Sequence, residues 1–428
     1  MTSHSRITKL SILDLVEGLA MSMDLVSPAI SNHHRRVAYI SWQIAQELDL
    51  PDQEKTDLVL AAMLHDCGAL SLPNRKLNLL FETNETEGFS LSKHAEVGYY
   101  LLRKFGPFSK VALIVRYHHH PWQSNGDQLS EAIPSGASIL HLADRLDVLI
   151  KKSSNKHNIL YRRDDIIHEI KRETGSQFNP EFVAALANLA HKESFWLDIV
   201  NISMSNTHSS YLKIGSENLN CDNVLEMTEL FSHIIDFRSH FTASHSSAVS
   251  VLSGSLARLA GFSEDECLMM KIGGNLHDLG KLAIPLEILE KPGKLTREQF
   301  NVIKSHTYYT FKILSKFRDM DCIRRWAAYH HERIDGEGYP FKIAGEMLDR
   351  GSRIVAVADV YTALRENRPY RQEMAIENSV AILQKMSGQA LDGDIVNLLI
   401  SNLPELEKIV QVTKEHSQED YQALQPHL

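Results

Sequence analysis

At 428 residues, with 43% hydrophobic and 23% charged side chains, the chain is long enough for two or three globular cores, which excludes a disordered or fibrous protein. A formal net charge of -9 argues against a general grip on nucleic-acid backbone, so no DNA or RNA polymer is expected as a partner. Four well-separated cysteines (Cys67, Cys221, Cys267, Cys322) form no CxxC pair, which excludes a disulfide framework or zinc knuckle and fits a reducing cytoplasm.

The first apolar stretch carries Asp14, Glu17 and Asp24, so it is neither a signal peptide nor a membrane span. No other run approaches the roughly 18 apolar residues a span needs, and no membrane partner is expected. Histidine is the outlier, at 22 of 428 residues. From residue 33 onward a pattern unfolds: His33, then the pair His65 and Asp66, then His94, then His118 and His119. Val37, Ile40 and Ile44 are spaced as on one buried helix face. A further helical pattern over Ser138–Ile150 holds Asp144 among small and apolar neighbours. Residues 201–221 are rich in Ser and Asn, lack a sustained period and suit a linker.

Beyond the linker the pattern returns. His245, His277, Asp278, His306, His330 and His331 repeat the first set, each displaced by 212 positions, and Val249, Leu252 and Leu256 repeat its apolar face. Asp359 follows His331 by 28 positions where Asp144 follows His119 by 25, so the first copy has a shorter loop. Strand signals are scarce. The reading is an all-α protein built by internal duplication, with domains over 1–200 and 222–428 joined by the linker.

Neighbouring His and Asp residues on a helix stand about 100° apart and reach into one cavity between helices. In the second copy Asp278 can bridge two ions, shared out among His245, His277, His306, His330, His331 and Asp359. Histidine and carboxylate ligands suit iron, manganese or similar borderline divalent ions. Two such ions lower the pKa of a water between them and stabilise an in-line phosphoryl displacement, with no Ser, Cys or Lys nucleophile needed. Any one of these histidines alone reads as a hydrogen-bonded core residue. Seven ligands together would cost too much desolvation without a cation.

The segments HDLGKLAIP (277–285), HHERIDGEGYP (330–340), VADVYTAL (357–364) and NRPYR (367–371) resemble the successive signatures of the HD-GYP phosphodiesterases, a branch of the HD superfamily. The resemblance covers the second half and, more weakly, the first. It implies a helical fold and a centre of two or three metals that opens 3′,3′-cyclic dinucleotides to linear products. Position by position it implies metal ligation by His245, His277, Asp278, His306, His330, His331 and Asp359, with Asp278 and Lys281 as candidate catalytic groups. Lys281 would also contact a substrate phosphate, and Arg368 and Arg371 would grip phosphates or base edges, as planar guanidinium groups do well. Gly338, Tyr339 and Pro340, after Asp335 and Gly336, would form a rigid turn beside the site. Some members recruit a third metal through a Glu four residues before the first histidine; Phe241 stands there, so two are expected.

The first copy keeps a full ligand set in His33, His65, Asp66, His94, His118, His119 and Asp144, a possible second metal site. Ala69 stands where Lys281 does, Ser153 where Arg368 does, no GYP loop follows its histidines, and only Lys156 could substitute for Arg371. A regulatory, scaffolding or dimer-forming role is expected of it, with hydrolysis of another phosphoester as the alternative and a homodimer through the HD domains left open. The tandem arrangement resembles bacterial members that prefer 3′,3′-cyclic GMP-AMP over cyclic di-GMP. A non-hydrolytic nucleotide sensor and an HD-type nucleotide or alarmone phosphohydrolase remain the competing readings.

Overall fold

The computed structural model describes residues 10–27, 30–71, 91–122, 133–152, 159–202, 219–238, 244–317, 319–367 and 371–424. Among them there are helices and turns, and isolated β-bridges join Thr174 with Phe178 and Ser387 with Leu391. The chain divides into two compact bodies. One spans Ser11–Glu217; the other spans Asn218–Pro426 together with Met1–Leu10, of which Leu10 is described. Leu10 joins the second body because its carbonyl accepts from the Leu219 N–H at 2.9 Å. No helix among the described residues is long and apolar enough to cross a membrane.

In the first body the helices are α1 (Ile12–Met23), α2 (His33–Glu47), α3 (Asp52–Leu64), α4 (Leu91–Leu102), α5 (Ser109–Arg116), α6 (Ser135–Lys152), α7 (Ile159–Arg172), α8 (Pro180–Ala190) and α9 (Glu193–Val200). A 3₁₀ turn, Cys67–Ser71, follows α3. The second body repeats the series as α10 (Cys221–Phe237), α11 (His245–Leu259), α12 (Glu264–Leu276), α13 (Arg297–Leu314), α14 (Asp321–Ala328), α15 (Arg350–Leu364), α16 (Ile376–Met386), α17 (Gly393–Ser401) and α18 (Leu403–Leu424). Its 3₁₀ turn is Leu279–Ala283. The helix expected over Ser138–Ile150 runs longer, and α10 begins at the last residue of the stretch read as linker, where the Asn220 side chain accepts from the Asn223 N–H.

Local chemistry fixes where the second body's helices start. Ser263 and Glu266 close a reciprocal cap on α12, Thr296 and Gln299 do the same on α13, and Asp349 accepts from the Ser352 N–H to start α15. The apolar faces then pack. Val37, Ile40 and Ile44 on α2 and Val249, Leu252 and Leu256 on α11 are all buried. Each such side chain removed from water contributes about 1.5–3 kcal/mol.

Close backbone approaches set the register around the histidines. A Cβ on Gly274 of α12 would stand 2.5 Å from the Ser250 Cα of α11, so these helices cross too tightly for any side chain there. A Cβ on Gly280 would collide with the His306 carbonyl, and one on Gly68 with the His94 carbonyl. The turn after each His-Asp pair thus sits directly on the helix that supplies the next histidine. In the second body Thr310 locks this contact: its hydroxyl donates to the His277 carbonyl at 3.1 Å and accepts from the Gly280 N–H at 2.9 Å.

Candidate metal centre

The helix ends deliver the side chains. His245 opens α11, His277 closes α12, His306 projects from α13, His330 and His331 follow α14, and Asp359 lies within α15. All but His331 are buried. Ligand atoms of His245, His277 and Asp359 lie within 4.8 Å of one another, as do those of His277, Asp278 and His330, and those of His306, His330 and His331.

Asp278 lies between the groups. Its Oδ2 is 3.1 Å from His277 Nε2 and 3.8 Å from His245 Nε2, while Oδ1 is 3.5 Å from His306 Nε2 and has no hydrogen-bond partner. His245 Nε2 is also 3.2 Å from Asp359 Oδ1, and His331 Nδ1 is 3.8 Å from Asp359 Oδ2.

The tautomers follow from what stands behind the rings. His277, His306 and His330 each place Nδ1 within 2.6–2.7 Å of the carbonyl three residues earlier, those of Gly274, Ile303 and Ala327. A carbonyl only accepts, so Nδ1 carries the proton and Nε2 presents a lone pair. Yet His306 Nε2 and His330 Nε2 face each other at 3.4 Å. Burial pushes His306 down to about 3 and His330 well below the usual imidazole range, so both are neutral. Two buried lone pairs so close need a cation between them, and the donor set fits one. Burial opposes ionisation of Asp278, but the His277 imidazole and the Lys281 ammonium hold it well below the usual carboxylate range. Asp359 is held low too, against burial, by His245, His331 and His330.

The other expected residues fall as follows. Lys281 Nζ contacts Asp278 Oδ2 and remains about one-fifth exposed. The Tyr339 ring packs 4.9 Å from the His331 ring, and its N–H donates to the His331 carbonyl at 3.1 Å. Gly338 lies against the backbone of His331–Arg333, where a Cβ would stand 2.6 Å from the His331 carbonyl oxygen. Pro340 follows as the loop's exit, and Gly336 adopts a positive φ of 76°. Arg371 donates to the Leu364 and Ala363 carbonyls at 3.0 and 2.6 Å, so its guanidinium caps the end of α15 rather than reaching outward. Arg368, Phe241, Ser153 and Lys156 lie outside the described residues.

The first body reproduces the arrangement. Asp66 Oδ2 is 3.0 Å from His65 Nε2 and 3.4 Å from His33 Nε2, and Oδ1 is 3.4 Å from His94 Nε2. Asp144 Oδ1 is 3.4 Å from His33 Nε2, and His119 Nε2 is 3.1 Å from His94 Nε2. His94, His118 and His119 form one close group, and His33, His65 and Asp66 another.

Sequence reading missed the groups that hold these candidate ligands. His245 Nδ1 donates to Glu366 Oε2, and His33 Nδ1 donates to Asp147 Oδ2. Glu332, buried, accepts from the Phe341 and Ile343 N–H groups at 2.7 and 3.1 Å and so ties down the loop that carries Tyr339.

Two family models, each described as an HD domain, match residues 30–149 and 229–395. The chain is 29% identical over 391 residues to the 3′3′-cGAMP-specific phosphodiesterase 1 of Vibrio cholerae, covering 90% of each chain. It is 26% identical to the 3′3′-cGAMP-specific phosphodiesterase 3 of the same organism, covering 89% of this chain and 92% of that one. A crystal structure of the Vibrio cholerae cyclic GMP-AMP-specific phosphodiesterase V-cGAP3 superposes with a TM-score of 0.63 at 23% identity, over 92% of this chain and 98% of that one, a likeness of fold. With two matched domains, two repeated His/Asp clusters able to bind metal and a GYP loop packed on the second, the chain belongs to the HD-domain family as a tandem-HD protein of the HD-GYP type.

Proposed function

We propose that the chain is a metal-dependent phosphodiesterase that hydrolyses a 3′,3′-cyclic dinucleotide, cyclic GMP-AMP in preference to cyclic di-GMP, to a linear dinucleotide. The observation that carries this reading is the position of Asp278, which offers one carboxylate oxygen to His245 and His277 and the other to His306. That geometry supports an ion on each side, and the nitrogen and carboxylate donors favour iron or manganese. Bound there, two such ions supply Lewis acidity and an activated water for in-line phosphodiester cleavage.

The chain's own residues do the rest. Seven ligands, His245, His277, Asp278, His306, His330, His331 and Asp359, hold the ions. Lys281, at the partly open edge of the cluster, meets a substrate phosphate and offsets charge developing on it. Tyr339 walls the site beside His331. Arg368 is assigned to the substrate, and Arg371 joins it only if its cap on α15 opens. The preference for cyclic GMP-AMP is supported by the names of the two Vibrio cholerae relatives that match nearly the whole chain. The net charge of -9 favours a small ligand over a nucleic-acid polymer, and the unpaired cysteines favour a reducing cytoplasm.

We assign catalysis to the second body. In the first, Ala69 replaces Lys281 and the GYP loop is missing, so the site there holds metal without an anion grip and serves a supporting role, with pairing of two copies as one form of it. The test offers the full chain, loaded with Mn²⁺ or Fe²⁺, cyclic GMP-AMP, cyclic di-GMP and cyclic di-AMP side by side, with products resolved by chromatography. Linear GMP-AMP forming fastest is expected; no linear product from any of the three overturns the reading.

A further inference from the structure

One buried imidazole in the first body has no counterpart in the second. His34 follows His33 on α2 and is 1% exposed. Its Nδ1 lies 2.6 Å from Asp24 Oδ1, so the carboxylate accepts the Nδ1 proton. Its Nε2 lies 3.7 Å from Asp66 Oδ2 and has no hydrogen-bond partner. The ring stands 5.2 Å from that of His33 and 5.4 Å from that of His65, the two imidazoles on the same carboxylate oxygen. A second lone pair is thus aimed, without a proton to share, at an acceptor in the middle of a metal-binding cluster.

Comparison of the copies shows that satisfying the carboxylate does not require an imidazole. Displaced by the same 212 positions, Asp24 becomes Asp236 and His34 becomes Ser246. In the second body Asp236 is buried and accepts from both the Ser246 N–H and the Ser246 hydroxyl at 2.9 Å, so the carboxylate is satisfied with no imidazole. The oxygen that His34 faces is also the one that differs in company: Asp278 Oδ2 contacts Lys281, whereas the equivalent position after Asp66 is Ala69, which carries no charge. The first copy has exchanged an ammonium for an imidazole nitrogen at the bridging carboxylate.

We propose that His34, positioned by Asp24, is an added nitrogen ligand of the ion held by His33, His65, Asp66 and Asp144, so that the first body carries a resident metal rather than a hydrolytic one. An added imidazole there would take up one coordination place that is otherwise left to water. Catalytic metal sites keep such a position open, and sites that hold an ion for structure close it. The loss of Lys281 and the gain of His34 then act together: one removes the anion grip, the other would take a coordination place from water. This rests on the reading of the first body as a metal site, and hydrolysis of a cyclic dinucleotide does not enter the readout, so the two fail separately.

The test uses the full chain loaded with Co²⁺ or Zn²⁺, followed by challenge with a chelator, with retained ions counted by plasma mass spectrometry and the Co²⁺ visible bands recorded. The variants are H34S, which installs the second copy's residue, H34Q, which keeps more of the volume, D24N, which removes the carboxylate behind the ring, and D66N, which removes the bridging carboxylate. Melting of the metal-free forms checks that each folds. H34S and H34Q are expected to release one ion about tenfold faster or more and to alter the Co²⁺ bands, D24N to do so less, and D66N to lose metal outright. Wild-type release and an unchanged spectrum in both His34 variants, with D66N depleted, would remove His34 from the coordination sphere. Wild-type metal content in D66N would overturn the first-body centre and His34's place in it together.

Discussion

Glu366 Oε2 accepts from His245 Nδ1 at 2.9 Å, and this fixes the ring with Nε2 turned toward Asp359 and Asp278. A carboxylate behind a ligating imidazole orients it and raises its basicity, and losing such a partner costs about 10–100-fold in metal affinity. E366A is therefore expected to weaken metal binding by about that factor in a competitive chelator titration, while E366Q, which keeps an acceptor, loses less.

Lys281 touches the Asp278 carboxylate, and an ammonium has no lone pair to offer a metal. K281A is expected to lower kcat by about 10²–10³-fold, as removal of a preorganised charge on developing negative oxygen does, with the bound metal count nearly unchanged. Steady-state kinetics beside elemental analysis checks both halves.

The GYP turn has no room for a larger residue at Gly338, where a Cβ would press on the backbone of Glu332 and Arg333 at 2.5 Å. G338A is expected to destabilise the second body by about 1–3 kcal/mol through overpacking and to cut turnover, because Tyr339 and His331 share the displaced backbone. Denaturant unfolding and activity measured on the same preparation test it.

Metal-free protein should weaken as pH falls. His306, lowered by burial to about 3, and His330 and His331, also lowered, stay neutral in the fold while an unfolded chain takes up protons below about 6.5. The unfolded state then binds more protons, so stability is lost from about pH 6.5 downward. Asp278 and Asp359, held low, add the same sign below about pH 4. Asp236, which burial pushes up to about 7, works in the opposite direction with Asp57, Asp144, Glu229 and Glu332, which burial also raises, and with His65, which Asp66 and Asp144 raise to about 9 against burial; the lowered imidazoles, joined by His34, His94, His118, His119 and His141 of the first body, outnumber them. Urea midpoints of chelator-treated protein at pH 7.5, 6 and 5 should fall in that order.

The His/Asp cluster was legible in the sequence because both copies keep the histidines and the paired Asp at one offset, with the last Asp displaced by three more, and helices and their ends bring these residues together. The groups behind them were not, because the copies solve that problem differently. Asp147 stands three residues after Asp144 on the same helix, whereas Glu366 stands seven after Asp359 and past the end of α15, so no fixed offset joins them; a search along the helix face would have found Asp147 alone. His34 was hidden beside a more conspicuous neighbour, since only the packing of α1 on α2 brings Asp24 to it. Arg371 read as an anion-binding fork, and in the fold its guanidinium satisfies carbonyls that α15 leaves unpaired. The duplication also runs further than its histidines. Thr174 to Asn179 and Ser387 to Asp392 each make a small bridge, with Gly175 and Gly388 at positive φ and an Asn or Asp starting the next helix, but at an offset of 213 that a search fixed on 212 passes over.

The division of labour between the copies is tested most directly by turnover of cyclic GMP-AMP in D278A and D66A, measured on metal-loaded full chain beside wild type. D278A should fall by about 10³-fold or more, because the carboxylate shared by both halves of the second cluster is gone, while D66A keeps most of its activity. Equal loss in the two variants, or full activity in D278A, would contradict the account.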